Sequence, residues 1–154
     1  MKLYQLIYVS KSVVPMSKEG LNEILGVACR NNATQEITGV LVYDRGHFFQ
    51  VLEGERDDVE SVFSKIQKDN RHYQINRIIS DTIKKRFFPN WNMGLYNMDD
   101  CKKIDFYKLK RCMTSLHEKT TVSEKRALAK YALRLFMELK KHRTDQSEDQ
   151  IQLD

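Results

Sequence analysis

The chain has 154 residues, 41% of them hydrophobic and 31% charged, with a formal net charge of +5 at pH 7. This length suits a single domain, and no apolar run approaches the roughly 20 residues that a membrane span needs. Three cysteines without a CxxC pair and four scattered histidines argue against a disulfide framework and a metal centre. We therefore expect a protein of the reducing cytoplasm.

The positive charge lies mostly in the second half of the chain, in stretches such as EKRALAK and ELKKHR. Basic and acidic residues alternate there, which is typical of the solvated face of a helix. Because no base-reading motif accompanies these stretches, nucleic acid is the less favoured partner.

The first elements of the chain follow a β-α-β-β pattern. Residues 3–10 have β-type sequence, and we interpret them as a first strand, not a signal peptide. Ser17 is a suitable N-cap for a helix. The apolar stripe of that helix is Leu21, Ile24, Leu25 and Ala28. Residues 37–43 and 47–52 predict two strands joined by a tight turn into a hairpin.

A second helix follows Gly54, with acidic residues in its first turn. Its apolar stripe is Val59, Val62, Phe63 and Ile66. Residues 73–83 and 88–96 predict two further strands. The order predicts a ferredoxin-like α+β fold, a five-stranded mixed sheet with two helices on one face.

The pattern becomes helical after the last strand, which divides the chain into a core domain (1–98), a C-terminal helical cap (99–142) and a polar tail (143–154) expected to be disordered. Residues 101–117 predict one helix. Thr121 and Glu124 predict a capping box for a second helix that runs to about Lys141. Its predicted apolar face is Leu128, Tyr131, Ala132, Leu135 and Leu139. These two helices are expected to cover the second face of the sheet.

Gln50 lies in the middle of an apolar strand, where an unpaired amide costs about 1–3 kcal/mol. Two more polar residues fall on apolar faces: Asn32 ends the stripe of the first helix, and Tyr8 shares a strand face with Leu6. Each has a structural alternative, since Gln50 can bond backbone, Asn32 can end a helix, and Tyr8 can pack at a sheet edge. Together they predict a pocket for a polar, planar ligand that the pattern does not name.

Six motifs occur in order between residues 2 and 96. They are Leu-Ile-Tyr8-x-Ser10, Arg30-Asn31-Asn32, Ile37-Thr38-Gly39-Val40-Leu41, Phe49-Gln50-x-Leu52-Glu53-Gly54, Asp69-x-Arg71-His72 and Phe88-x-x-Trp91-x-Met93. The set resembles the BLUF family, the sensors of blue light using FAD. The resemblance implies a ferredoxin-like domain that binds a flavin non-covalently between its two helices, as FAD or alternatively as FMN or riboflavin.

The resemblance also implies roles for single residues. Tyr8 matches the donor of an electron and a proton to the excited flavin, and Gln50 matches the glutamine that then rearranges its hydrogen bonds. Asn32 matches the asparagine at the flavin O4/N3 edge. Trp91 and Met93, which we expect on one face of the last strand, match a pair associated with signal output. The other implied cofactor-binding residues are Ile24, Asn31, Lys65, Ile66, Asp69, Arg71 and His72.

We expect a photoreceptor without enzymatic activity, because the about 45 residues after the core are too few for an effector domain. Its output is expected to pass through the fifth strand and the C-terminal helices to a separate protein or to another copy in a homo-oligomer. The alternative is a light-independent ferredoxin-like interaction module with a vestigial flavin site. A flavin enzyme ranks last, because the sequence lacks a recognisable nicotinamide or nucleophile motif.

Overall fold

The computed structural model describes residues 2–98, 107–118 and 121–144, with side chains to residue 138. The strands are β1 (Leu3–Ser12), β2 (Thr38–Asp44), β3 (His47–Glu55), β4 (His72–Ile83) and β5 (Gly94–Asn97). The helices are α1 (Lys18–Thr34), α2 (Arg56–Gln67), α3 (Tyr107–Leu116) and α4 (Val122–Thr144). The sheet order is β4-β1-β3-β2-β5, antiparallel except for the parallel β2–β5 pair. The predicted ferredoxin-like α+β fold with a mixed sheet is confirmed.

Local sequence signals account for the first helix and the hairpin. Ser17 caps α1, because its Oγ accepts a hydrogen bond of 3.0 Å from the Gly20 N–H. Between β2 and β3, Arg45 and Gly46 have φ values of 44° and 79°. Two consecutive positive φ values match the twist of a tight hairpin, so this turn sets the register of β2 against β3.

The sheet separates two apolar layers. The side covered by α1 and α2, here called the cleft face, carries residues such as Leu6, Tyr8 and Leu52. The side covered by α3 and α4, here called the cap face, carries residues such as Ile7 and Phe49. Successive strand residues alternate between the two layers, as the period of two requires. The prediction that C-terminal helices cover the second face is confirmed.

The fifth strand is shorter than predicted. Residues 84–93 run as bends and turns, and β5 comprises only Gly94–Asn97. Pro89 fixes its own φ and has no N–H to donate, which disfavours a strand here. The prediction that Trp91 and Met93 share a face is therefore wrong: Trp91 packs in the cap-face layer and Met93 in the cleft-face layer. Strand alternation does not apply to a segment that is not a strand.

The C-terminal helices agree with the prediction in kind and differ in detail. Thr121 Oγ1 accepts a hydrogen bond of 3.1 Å from the Glu124 N–H, as a capping box requires. Tyr131, predicted on the apolar face, is 38% exposed, because the buried stripe is Ala129, Ala132, Leu133 and Phe136. α4 continues to Thr144, beyond the predicted end. Residues 99–106, the Leu139 side chain and the tail from residue 145 lie outside the described residues.

Among the helices of the described residues, none combines the length and the apolar character that crossing a membrane requires.

Candidate functional site

A cleft of about 200 Å³ opens between α1 and α2 on the cleft face. All the residues predicted to bind a cofactor line it, namely Tyr8, Ile24, Asn31, Asn32, Gln50, Lys65, Ile66, Asp69, Arg71 and His72. The lining residues that sequence reasoning did not assign to a ligand are Val27, Ala28, Gln35, Leu41, Phe48 and Val62. Leu41 and Phe48 had a usable signal, because Leu41 pairs with Gln50 across β2–β3 and Phe48 precedes it by one strand period.

The closed end of the cleft holds a pair of buried polar side chains. Tyr8 and Gln50 are 3% and 5% exposed and lie directly opposite each other on β1 and β3. The Tyr8 hydroxyl donates a hydrogen bond to Gln50 Oε1. Gln50 Nε2 donates at 3.4 Å to the sulfur of Met93, which is a weak acceptor. The amide therefore connects β1 to the residue that precedes β5.

The Tyr8 phenol lies in an apolar enclosure. Its ring centroid is 5.3 Å from that of Phe63 and 6.4 Å from that of His72. Burial raises the pKa of Tyr8 far above its ordinary value, and the nearby Asp69 carboxylate raises it further. Tyr8 is consequently a neutral hydrogen-bond donor throughout the physiological pH range.

Asn32 occupies the last turn of α1 and is 2% exposed. Its backbone carbonyl accepts hydrogen bonds from the N–H groups of Gln35 and Ile37, so the helix-end interpretation is correct. Its side-chain Nδ2 also donates at 3.0 Å to the carbonyl of Asn92. Asn32 therefore ends the helix, lines the cleft and holds the segment before β5.

The side walls of the cleft are apolar. Ile24 projects from α1 and Ile66 from α2, and both are half-buried against the cleft-face layer. Val62 adds to the α2 wall, while Val27, 47% exposed, marks where the α1 wall meets solvent. Such walls suit a flat apolar ring system, and the amides at the closed end suit its polar edge.

The residues after α2 form an ordered and charged mouth. Arg71 Nε donates to both carboxylate oxygens of Asp69, at 2.9 and 3.0 Å. This contact, with the Arg71 backbone N–H, holds the pKa of Asp69 below its usual range. Lys65 adds a second cation to the lining. Guanidinium and ammonium groups at a cleft mouth suit the binding of phosphate.

His72 is fixed by a hydrogen bond at each ring nitrogen. Its Nε2 is 2.7 Å from the carbonyl oxygen of Ile66, so this nitrogen carries the proton and donates. Its Nδ1 then accepts from the Ser10 hydroxyl at 2.8 Å. These two bonds tie the mouth of the cleft to β1 and to the end of α2.

Trp91 lies behind the sheet, on the cap face. It is 6% exposed and its ring centroid is 5.7 Å from that of Phe88, 6.1 Å from that of Tyr96 and 6.3 Å from that of Phe136 on α4. The indole also lies against Gly94, where a Cβ atom would come within 2.2 Å of Trp91 Cε3. The structure thus places Met93 in contact with Gln50 and Trp91 in contact with α4.

Comparison with known proteins agrees with this geometry. The sequence profile of the family described as "Sensors of blue-light using FAD" (BLUF) matches residues 3–94. The photoactivated adenylate cyclase subunit beta of Euglena gracilis is 36% identical over 92 residues, which cover 59% of this chain and 11% of that protein. The blue light- and temperature-regulated antirepressor BluF of Escherichia coli (strain K12) is 34% identical over 98 residues, covering 62% of this chain and 24% of that protein.

Two similar solved structures match most of both chains. BlrB, a BLUF protein in its dark state, has a TM-score of 0.72 and 25% identity, covering 90% of this chain and 97% of that one. BlsA in its ground state has a TM-score of 0.63 and 32% identity, covering 77% of this chain and 75% of that one. Because the family profile matches more than half of the sequence, this chain belongs to the BLUF family, the sensors of blue light using FAD.

Proposed function

We propose that this chain is a blue-light photoreceptor without enzymatic activity of its own, which signals through its C-terminal helices to a separate protein or to a second copy. The observation that carries the proposal is the chain of contacts from Tyr8 to Gln50 and from Gln50 to Met93. It starts at the closed end of the cleft and ends in the segment that carries Trp91. A change in these bonds therefore reaches a residue packed against α4.

The cleft residues fit FAD by their chemistry. Ile24 and Ile66 offer apolar contact to the two ring faces, and the Gln50 and Asn32 amides offer hydrogen bonds to the polar ring edge. The cations at the mouth suit the phosphates, as described above. Bound FAD supplies the absorption of blue light and, once excited, an acceptor for an electron and a proton.

Tyr8 is the proposed donor of the electron and of the proton. Its raised pKa keeps the proton on the phenol oxygen in the dark, so the proton leaves only together with an electron. In the structure Gln50 Oε1 accepts from Tyr8, while Nε2 points at the Met93 sulfur. Rotation or tautomerisation of the amide exchanges its donor and acceptor positions and breaks the contact with Met93. In a buried site, where hydrogen bonds are stronger than in water, such an exchange changes the relative energy of two conformations of the neighbouring segment enough to shift their populations.

Met93 and Trp91 form the proposed output step. Their backbone carbonyls accept hydrogen bonds from Cys29 Sγ and from the Gly39 N–H, at 3.4 and 3.0 Å. When Gln50 releases Met93, the displacement passes along the backbone to Trp91 and from there to Phe136 on α4. Co-purification of partners in the dark and in blue light tests this step, because only a light receptor recovers a different set in the two conditions.

The photocycle itself is tested with purified protein. We expect it to bind FAD, to be yellow, and to show a reversible red shift of its flavin bands in blue light. Tyr8→Phe should bind FAD equally well and lose the shift, because the phenol proton is gone. Protein that rejects added FAD contradicts the proposal, and a normal shift in the Phe variant contradicts the role of Tyr8.

A further inference from the structure

Glu53 is a buried carboxylate on the cap face, three residues after Gln50 on β3. It is 0% exposed. Its Oε1 accepts hydrogen bonds of 2.9 Å from both the Phe87 and the Phe88 backbone N–H groups. Its Oε2 accepts from Phe87 N–H at 3.1 Å and from Gln5 Nε2 at 3.2 Å. The carboxylate therefore holds the backbone of an irregular segment to the centre of the sheet.

Keeping this charge buried is costly. Burial raises the pKa of Glu53, and the three donors and the Arg86 guanidinium act in the opposite direction. Arg86 itself donates to Thr38 Oγ1 at 2.9 Å and to the Glu53 backbone oxygen at 3.0 Å. An apolar side chain would fill the same layer at less cost, but it would leave two backbone N–H groups without their acceptor.

The segment that Glu53 holds is bonded to its surroundings at its start, at its end and, through the Trp91 carbonyl that accepts from the Gly39 N–H, between them. Its start, Phe87 and Phe88, is bonded to Glu53 on the cap face. Its end is bonded to elements that border the cleft: the carbonyl of Asn92 accepts from Asn32, and Met93 contacts Gln50. A change at the cleft therefore acts on the end of the segment and leaves the bonds at its start in place.

We propose that Glu53 is a positioning residue for the output segment, residues 87–93. Glu53 holds Phe87 and Phe88 on the sheet, so a displacement at Met93 rotates Trp91 against α4. Without this anchor the same displacement would be absorbed by movement of the whole segment and would not reach α4. This role rests on the function proposed above. The proposal that Glu53 fixes the position of Trp91 can be tested in the dark, whether or not the protein responds to light.

The test uses Trp91 as a reporter, because the chain contains one tryptophan. Acrylamide quenching of its emission is measured on the full chain in the dark, with and without FAD, well below the unfolding temperature. We expect Glu53→Ala to increase the quenching constant severalfold. Glu53→Gln should stay near the wild-type value, because its Oε1 can still accept from both backbone N–H groups. The control Glu55→Ala removes an exposed carboxylate of the same strand and should change nothing.

A purely stabilising role predicts a different result: a lower unfolding temperature with Trp91 as shielded in the folded variant as in the wild type. That result for Glu53→Ala would overturn the proposal. If the Ala variant does not fold, Glu53→Asp decides, because it keeps the charge and draws the carboxylate away from Phe87 and Phe88. Greater Trp91 quenching in the folded Asp variant supports the proposal, and wild-type quenching overturns it.

An illumination arm separates this inference from the proposed function. In folded Glu53→Ala the flavin red shift should persist, since Tyr8 and Gln50 are intact, while the light-induced change in Trp91 emission is lost. An absent red shift in the wild-type protein would refute the photoreceptor. The dark quenching series would still decide whether Glu53 holds the segment.

Discussion

The two faces of the sheet are built from the same strands and differ in what they bury. The cleft face buries Tyr8, Asn32 and Gln50, whose polar atoms surround an open cleft. The cap face is closed by aromatic rings, with Tyr96 and Phe136 at a centroid distance of 4.4 Å. In the proposed function the cleft face binds the flavin, and the cap face registers a displacement. Trp91 packs on the cap face and Met93 on the cleft face, so a segment of three residues connects the two faces.

The largest expected effect comes from removing the amide on the cleft face. Gln50→Leu keeps the volume of the side chain and removes both its acceptor for Tyr8 and its donor for Met93. We expect complete loss of the light-induced red shift with FAD still bound, measured by absorption spectroscopy. Gln35→Leu, at another glutamine that lines the cleft, is the control and should retain the shift. A shift in the Gln50 variant would mean that the chemistry of the cleft face does not depend on this amide.

The most direct way to disrupt the packing of the cap face is to truncate Phe136, which is fully buried on α4. Phe136→Ala should lower the free energy of unfolding by about 3–5 kcal/mol, because truncation leaves a cavity among the aromatic rings. Urea denaturation measures this loss. We expect the red shift to survive in the folded fraction, since the ring is remote from the cleft lining. Loss of the shift in folded protein would show that the two faces are not separable.

Periodicity predicted the two layers because it acts on regular elements. The stripe of α1, the hairpin and the polar trio of Tyr8, Asn32 and Gln50 all follow from spacing, and the structure brings the trio to one cleft. The ligand came from family resemblance, since spacing alone carries no information about a flavin. The opposite placement of Trp91 and Met93 was not predictable in the same way. It is set by long-range bonds to Glu53, Gly39 and α1 in a segment without a period.

Gly94 sharpens the comparison, because it lies where the two faces meet. A Cβ atom there would overlap the Trp91 ring, with 2.2 Å to Cε3. Gly94→Ala should therefore displace the indole, change its emission and cost about 1–3 kcal/mol of stability. Gly26→Ala on α1 is the contrasting change: the nearest atom is 3.5 Å away, and Ala in a helix interior is favourable by about 0.5–1 kcal/mol. Wild-type Trp91 emission in the Gly94 variant would contradict the observed packing.

The smallest expected effects come from the caps of the two helices that serve opposite faces. Ser17 caps α1 beside the cleft and Thr121 caps α4 over the cap face. Ser17→Ala and Thr121→Ala should each cost about 1 kcal/mol, which speeds amide exchange in the first turn of the affected helix by about fivefold.

Added FAD distinguishes these two changes, because it contacts α1 and not α4 in the proposed arrangement. We expect FAD to slow exchange at the Gly20 N–H in the Ser17 variant and to leave exchange at the Glu124 N–H unchanged in the Thr121 variant. Hydrogen exchange followed by NMR resolves both sites. Equal protection by FAD at the two sites would mean that binding on the cleft face stiffens the cap face as well. The cleft face and the cap face would then not be independent of each other, even in the dark.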